Sequence, residues 1–371
     1  MSQTSAAGPP SYRVRIADVT DGGDRVPDLS PREASERWLN KLRVERSEST
    51  VSSYHYRLKH FIEFCESEGI VMIDELTGWD IESYETSRRE QGLEPISLNN
   101  ELGTLQNFFE YCARIELVDE DLPEKVDPPD VPKSEQVNKT RLETPRAQAL
   151  LNYYDAHPDE RASRAHVLLA VTWYTGARLG AIRGLDVDDF YPDEECVSFV
   201  HRPDKGTPLK NGIDGERVVG LPEDVCELVS EYIRDNRLEQ FDEYGRRSLL
   251  TSQMAGRPSK NGVRGWMYLA TVPCLHTDCP HGNDPETCDY TEYNSASQCP
   301  SSRSPHQVRT GSITWQLNKG LPPERVSERV NTSIETLLRH YDQPGKMEEM
   351  RERRAEFIDR LDFEDDGGID E

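Results

Sequence analysis

Apolar positions along the chain recur mostly three and four residues apart, the interval of a helix with one buried face. Ala34, Trp38 and Leu42 share one side of a helix that opens at Ser30-Pro31, a serine N-cap followed by proline at the first helical position. Val51, Tyr54, Leu58, Phe61, Ile62 and Cys65 repeat the pattern over 50–67, and Gly69 ends it. Helices follow over 77–90 and 96–114, the second carrying Leu98, Leu102, Leu105, Phe108, Phe109 and Cys112. Thr144-Pro145 starts another, 161–176 holds Val167, Leu168, Leu169, Val171 and Trp173, and 223–236 places Val225, Leu228, Val229 and Tyr232 on one face. Cys196–His201 alternates loosely, with Arg217–Leu221 as its partner, which predicts a small β-hairpin. The fold class is therefore mainly α with a small hairpin sheet (α+β).

Residues 1–28, rich in Ser, Gly, Pro and Asp, read as a flexible tail, and 29–118 as a helical domain. Residues 119–143 are dense in proline and acid, with little that can pack, and read as a linker. A larger domain spans 144–345. The end, 346–371, is helix-prone to about 362 and then acidic.

Charge changes the picture. Sixty-nine Asp and Glu against 44 Lys and Arg leave a formal charge of −25, which fits a halophile-type protein kept soluble in high salt. That balance opposes nucleic-acid binding as a sum, but its distribution does not. Residues 245–270 carry Arg246, Arg247, Arg257, Lys260 and Arg264 and no acidic residue, a candidate phosphate-facing island. No apolar run is long enough to span a membrane and no signal peptide is evident, so a cytoplasmic setting is expected. Eight cysteines there suggest thiols or metal ligands rather than disulfides.

Ser304-Pro305 caps a helix that carries His306 and Arg309 near its start, three apart and so on one face. This pairs a proton-exchanging ring with a cation whose planar fork fits a phosphate. Ile334, Leu337, Leu338 and Tyr341 form one apolar stripe on a later helix. Upstream, Thr175-Gly176-Ala177-Arg178-Leu179 lies at a helix junction, and Lys205 and Lys210 lie in the hairpin loop. In this order and at these intervals the pieces resemble the tyrosine recombinase (phage integrase) family of Xer- and Cre-like site-specific recombinases.

The resemblance implies a SAM-like, DNA-binding core-binding domain before the linker and the family's catalytic domain after it. Arg178 and Arg309 match the arginines that grip the scissile phosphate, His306 the phosphate-contacting histidine, and Tyr341 the nucleophile. Lys210 matches the hairpin lysine that protonates the leaving 5′-hydroxyl, with Lys205 as its alternative. Thr332 stands where the family has His or Trp, and Ala181 where it commonly has an acid.

The resemblance further implies a recombinase or integrase that needs no cofactor for its chemistry. Its partner would be double-stranded DNA with paired sites, clamped between the two domains, and it would act as a homotetramer in the synapse. A type IB-like topoisomerase and an idle DNA-binding accessory protein are the alternatives.

Cys274, Cys279, Cys288 and Cys299 cluster just before Ser304 within an insertion over 274–299, interleaved with His276 and His281. Such clustering suggests a structural zinc site, with free thiols or a disulfide as alternatives.

Overall fold

A computed structural model describes residues 27–132, 139–254, 256–341 and 350. The helix-prone tail expected after 346 lies outside the described residues, apart from Met350. Contacts divide the chain into two units, Met1–Val137 and Asn138–Glu371.

The first unit is four helices: α1 (Pro31–Glu45), α2 (Glu48–Glu68), α3 (Gly78–Glu90) and α4 (Pro95–Arg114). Each starts or stops where its sequence directs. Ser30 Oγ accepts from the Glu33 amide while the Glu33 carboxylate accepts from the Ser30 amide, a reciprocal cap. Gly69 ends α2 in the left-handed region, φ 75°, where a side chain would be strained. Trp38, Phe61, Tyr84, Phe108 and Phe109 fill the core. Within it the Glu101 carboxylate accepts from Arg88 Nε (2.7 Å) and Nη2 (3.0 Å) and from the Tyr84 hydroxyl. The proline- and acid-rich stretch departs from its expected openness. Leu122 and Val126 bury themselves in this same core, and Asn99 Nδ2 donates to the Pro129 carbonyl (2.8 Å). Prolines removed helix-forming capacity from this stretch but not its apolar side chains.

The second unit is built on α5 (Thr144–Ala156), α6 (Arg164–Thr175), α7 (Leu179–Gly184), α8 (Glu223–Glu231), α9 (Lys260–Ala270), α10 (Pro305–Asn318), α11 (Pro323–Val330) and α12 (Ile334–His340). The helix expected over 223–236 is α-helical only to Glu231 and finishes as one wider turn, Tyr232–Asn236. The predicted hairpin is present as β2 (Cys196–Phe199) against β3 (Arg217–Gly220), with Val197 opposite Val219. A two-residue strand, β1 (Phe190–Tyr191), adds to β2 and completes an antiparallel sheet ordered β1-β2-β3. The fold is thus mostly helical with one small sheet.

Helices α6 and α10 lie at the centre of this unit, and small residues let them approach. At Gly311 a Cβ would fall 2.0 Å from the Leu142 carbonyl oxygen and 3.0 Å from the Trp173 ring. Ser312 Oγ donates to the Trp173 carbonyl. The apolar stripe of α12 divides: Leu337 and Tyr341 are buried with Val326 and Val330, whereas Ile334 and Leu338 face outward.

The basic island at 245–270 is largely structural, which corrects its reading as a phosphate-facing surface. Arg257 is buried and bonds Asp242 (2.8 Å) and Asp186; Arg246 also bonds Asp186 (2.7 Å), and Arg247 bonds Glu239 (3.2 Å). The partners lie outside the island, so its local charge misrepresents its neutrality. Lys260 and Arg264 remain exposed. Removing one member of a buried pair leaves the other charge uncompensated. Asp186→Ala is therefore expected to lower unfolding stability by about 3–5 kcal/mol in denaturant titration, and a loss within experimental error would remove the structural role assigned to this network.

Candidate active site

Helix α6 stops because Gly176 enters the left-handed region, φ 59°. A Cβ there would come within 2.8 Å of Val330 Cγ1. The turn leaves the Gly176 carbonyl available, and Arg309 Nη1 donates to it (2.6 Å) and to the Val330 carbonyl (2.9 Å). Arg309 is only 1% exposed, on the second turn of α10, and its Nε and Nη2 have no hydrogen-bond partner. Burial pushes its pKa down to about 10; Tyr341 opposes that shift and Arg178 adds to it.

Arg178 caps the start of α7 in extended backbone, and its half-buried side chain turns to the α11–α12 connection. Its Nη1 donates to the Asn331 carbonyl (2.6 Å) and approaches Asn331 Oδ1 at 3.4 Å. Burial lowers its pKa, opposed by Tyr341. Arg217 opens β3 with its guanidinium 4.3 Å from the centre of the Phe199 ring. It donates from Nε to the Arg329 carbonyl (2.7 Å) and from Nη1 to the Gly215 carbonyl (2.9 Å). Burial pushes Arg217 down to about 9, and repulsion from Arg309 and then Arg178 adds to it. Three guanidinium groups thus feel one another, and among the described residues none of them pairs with a carboxylate.

Tyr341 ends α12, 6% exposed. Its ring centre lies 5.1 Å from Arg309 Cζ and 5.6 Å from the His306 ring. Thr314 Oγ1, on α10, donates to its carbonyl (2.8 Å), so the nucleophile candidate is held against the helix that carries His306 and Arg309. His306 follows the Ser304–Gln307 reciprocal cap and lies on the exposed side of α10.

The structure brings Arg178, His306, Arg309 and Tyr341 together. Lys210 and Lys205 are both exposed in the loop between β2 and β3. They sit in different surroundings: Asn211, next to Lys210, donates to Asn331 Oδ1 (2.7 Å), while the Lys205 carbonyl accepts from Arg246 Nη1 (3.2 Å). Thr332 is half-buried and spends its backbone on the turn, its amide donating to the Ser327 carbonyl and its own carbonyl accepting from Ser327 Oγ (2.7 Å). The residue of that connection which touches Arg178 is Asn331. Ala181 packs in the core of the second unit.

Sequence reasoning passed over Arg217 and Asn331. Arg217 served there only as a strand landmark. Asn331 carried a weak signal, an asparagine just past a helix end, where the left-handed backbone it adopts (φ 53°) is common.

All eight cysteines of the chain are free thiols, the four of the insertion among them. Cys274 and Cys279 are hydrogen-bonded, and burial, followed by Cys279, pushes Cys274 up to about 11. The backbone N–H of His281, chiefly, with those of Asn283 and Gly282, holds the Cys279 thiol below its usual range. Asn283 Nδ2 donates to Cys288 Sγ (3.8 Å), His276 Nδ1 is buried without a partner, and His281 Nε2 lies 3.0 Å from Ser301 Oγ. Among the described residues, however, no three Cys, His, Asp or Glu side chains are gathered so as to hold a metal ion.

Comparison with known proteins fits this geometry. The family described as "Phage integrase, N-terminal SAM-like domain" matches residues 35–115. Tyrosine recombinase XerC of Pseudomonas entomophila is 26% identical over 201 residues, 54% of this chain and 62% of that protein. Tyrosine recombinase XerD of Bifidobacterium longum is 24% identical over 238 residues, 62% of this chain and 73% of that one. The chain therefore spans between three-fifths and three-quarters of these relatives' lengths. In fold it is similar to the Tn1549 transposon integrase, solved with a circular-intermediate DNA: 15% identity, 90% of this chain and 100% of that chain, TM-score 0.61. The integrase-type first domain and the alignment with two Xer proteins agree with the motif order and support the tyrosine recombinase family.

Proposed function

We propose that this protein is a site-specific recombinase that cleaves and rejoins duplex DNA through a 3′-phosphotyrosyl intermediate. The observation that carries the reading is a set of mutually repelling guanidinium groups, buried Arg309 with half-buried Arg178 and Arg217, which pair with no carboxylate among the described residues, Arg309 lying against the Tyr341 ring. Buried cations without a counter-ion are costly, and an anionic ligand offsets that cost. A phosphodiester suits it in charge, and the unpartnered Nε and Nη2 of Arg309 suit its non-bridging oxygens in geometry.

In this mechanism the Tyr341 phenol oxygen attacks phosphorus and its proton passes to His306 or to water. The P–O5′ bond breaks, and the departing 5′ oxygen takes a proton from the Lys210 ammonium. The arginines stabilise the charge that gathers on the non-bridging oxygens as attack proceeds. Because the phosphotyrosyl ester replaces a phosphodiester, the reverse attack by a 5′-hydroxyl reseals DNA without nucleotide. Paired sites, a homotetrameric synapse and a cytoplasmic, high-salt setting belong to the same proposal. Among the described residues, no helix is long and apolar enough to cross a membrane.

Nicked suicide substrates bearing candidate sites, incubated with the protein in high KCl, are expected to trap a covalent adduct that Tyr341→Phe abolishes. Arg178→Ala should slow its formation by about 10²–10³-fold, the effect of removing one oxyanion donor. No adduct on any candidate site, or one that survives Tyr341→Phe, would count against the reading; relaxation of any supercoiled plasmid would favour a topoisomerase instead. Raising KCl from about 0.1 M to about 1 M shortens the screening length from about 10 Å to about 3 Å, so with a formal charge of −25 the thermal midpoint should rise. A flat or falling midpoint would remove the halophilic reading.

The structural zinc read from the insertion is proposed for Cys274, Cys279, Cys288 and Cys299, which would have to draw closer together around the ion. Metal analysis of protein purified without chelator should then find about one zinc per chain, the stoichiometry of a four-thiolate site, and Cys279→Ser should lose it. A metal-free, fully folded protein would discard the site.

A further inference from the structure

Asn331 joins two separate parts of the second unit, the start of α7 and the loop between β2 and β3, through one short side chain and its own carbonyl. The carbonyl and Oδ1 receive Arg178 Nη1, Oδ1 also accepts from Asn211 Nδ2 (2.7 Å), and Nδ2 donates to the Asp214 carbonyl (2.9 Å). Its backbone completes the end of α11 in the left-handed region, with its amide donating to the Ser327 and Glu328 carbonyls. Capping alone would not require this residue, because glycine adopts φ 53° at less cost. The amide group does something that a cap does not.

Before the lysine the loop is anchored elsewhere: Thr207 is buried and accepts from Arg246 Nη1 (2.8 Å), and the Leu209 amide donates to His201 Nδ1 (3.0 Å). From there the chain runs exposed through Lys210 and Ile213 to Gly215, its next buried point. Asn211 follows Lys210 directly, and Asp214 closes the same turn, so both bonds from the Asn331 amide fall just after the lysine.

We propose that Asn331 is a positioning residue that registers the Lys210 loop against the Arg178 guanidinium, setting where the proton donor stands relative to the bound phosphate. The tether itself is independent of the recombinase reading; its catalytic consequence rests on that reading. Thr332, the neighbour that takes the place of the family's ring, makes no comparable link through the bonds described above.

Asn331→Gly keeps the left-handed turn and deletes only the amide. Backbone hydrogen exchange over residues 208–216 should be faster in this variant than in the wild type, with exchange in α6 and α10 unchanged. Unchanged loop exchange overturns the tether, whatever the protein does to DNA. In cleavage, Asn331→Gly should slow adduct formation tenfold or more on an ordinary phosphodiester, within the range a general acid supplies. It should return to within about threefold of wild type on a 5′-bridging phosphorothioate, whose thiolate leaves without a proton. Lys210→Ala should be rescued in the same way and Arg178→Ala should not. Equal losses on both substrates would mean that Asn331 acts through Arg178 or the fold alone and would overturn the proposal. Absence of adduct from wild type on both substrates would sink the recombinase reading and the catalytic consequence together, with the exchange result still deciding the tether.

Discussion

One nitrogen, Nη1 of Arg309, donates to the carbonyl of Gly176, the residue that caps α6, and to the last carbonyl of α11, and much of the second unit is arranged so that it can. Removing a guanidinium from water costs several kcal/mol unless dipoles replace the lost hydration. Two helix ends supply them, since their final carbonyls lack partners within their own helices. The arrangement constrains neighbours in turn. Gly176 has no room for a Cβ beside Val330, and Gly311 has none beside Leu142, so α6, α10 and α11 close on the arginine only with glycine at these points. What remains unsatisfied on Arg309 is its Nε and Nη2.

The chain therefore uses arginine in two opposite ways. Around Asp186 and Asp242 the cations Arg246 and Arg257 are matched by carboxylates, and the cluster behaves as a neutral strut. Around Tyr341 the cations are matched, among the described residues, by carbonyls only, which orient them without cancelling their charge. In a protein with so large an acidic excess, keeping carboxylates away from three adjacent arginines is a choice with a consequence. The site retains its positive potential although the chain as a whole is strongly negative.

Much of the helical architecture could be read from spacing, because caps such as Ser30-Pro31 and Ser304-Pro305 and stops such as Gly69 act within a few residues. Arg178, His306, Arg309 and Tyr341 were visible as a motif order and meet in space. The misreadings share one cause. Arg257 looked surface-bound because its partners Asp186 and Asp242 are distant in sequence; β1 is too short to show alternation; Leu122 and Val126 were judged by the prolines near them. Asn331 and Arg217 gain their meaning only when loops from different parts of the chain converge. Helix α12 adds a subtler case: its periodicity was real, but only Leu337 and Tyr341 found a surface to bury against.

The hydrogen bonds that assemble the site join residues 133 apart (Arg309 to Gly176), 153 apart (Arg178 to Asn331) and 112 apart (Arg217 to Arg329). Contacts so distant along the chain close late, after the local helices and hairpin have formed. A nascent or partly unfolded chain can hold most of its helices and still have no arginine cluster beside Tyr341. The wide sequence separation of the cluster thus imposes an order: the arginines stand beside Tyr341 only in a chain whose second unit has folded throughout.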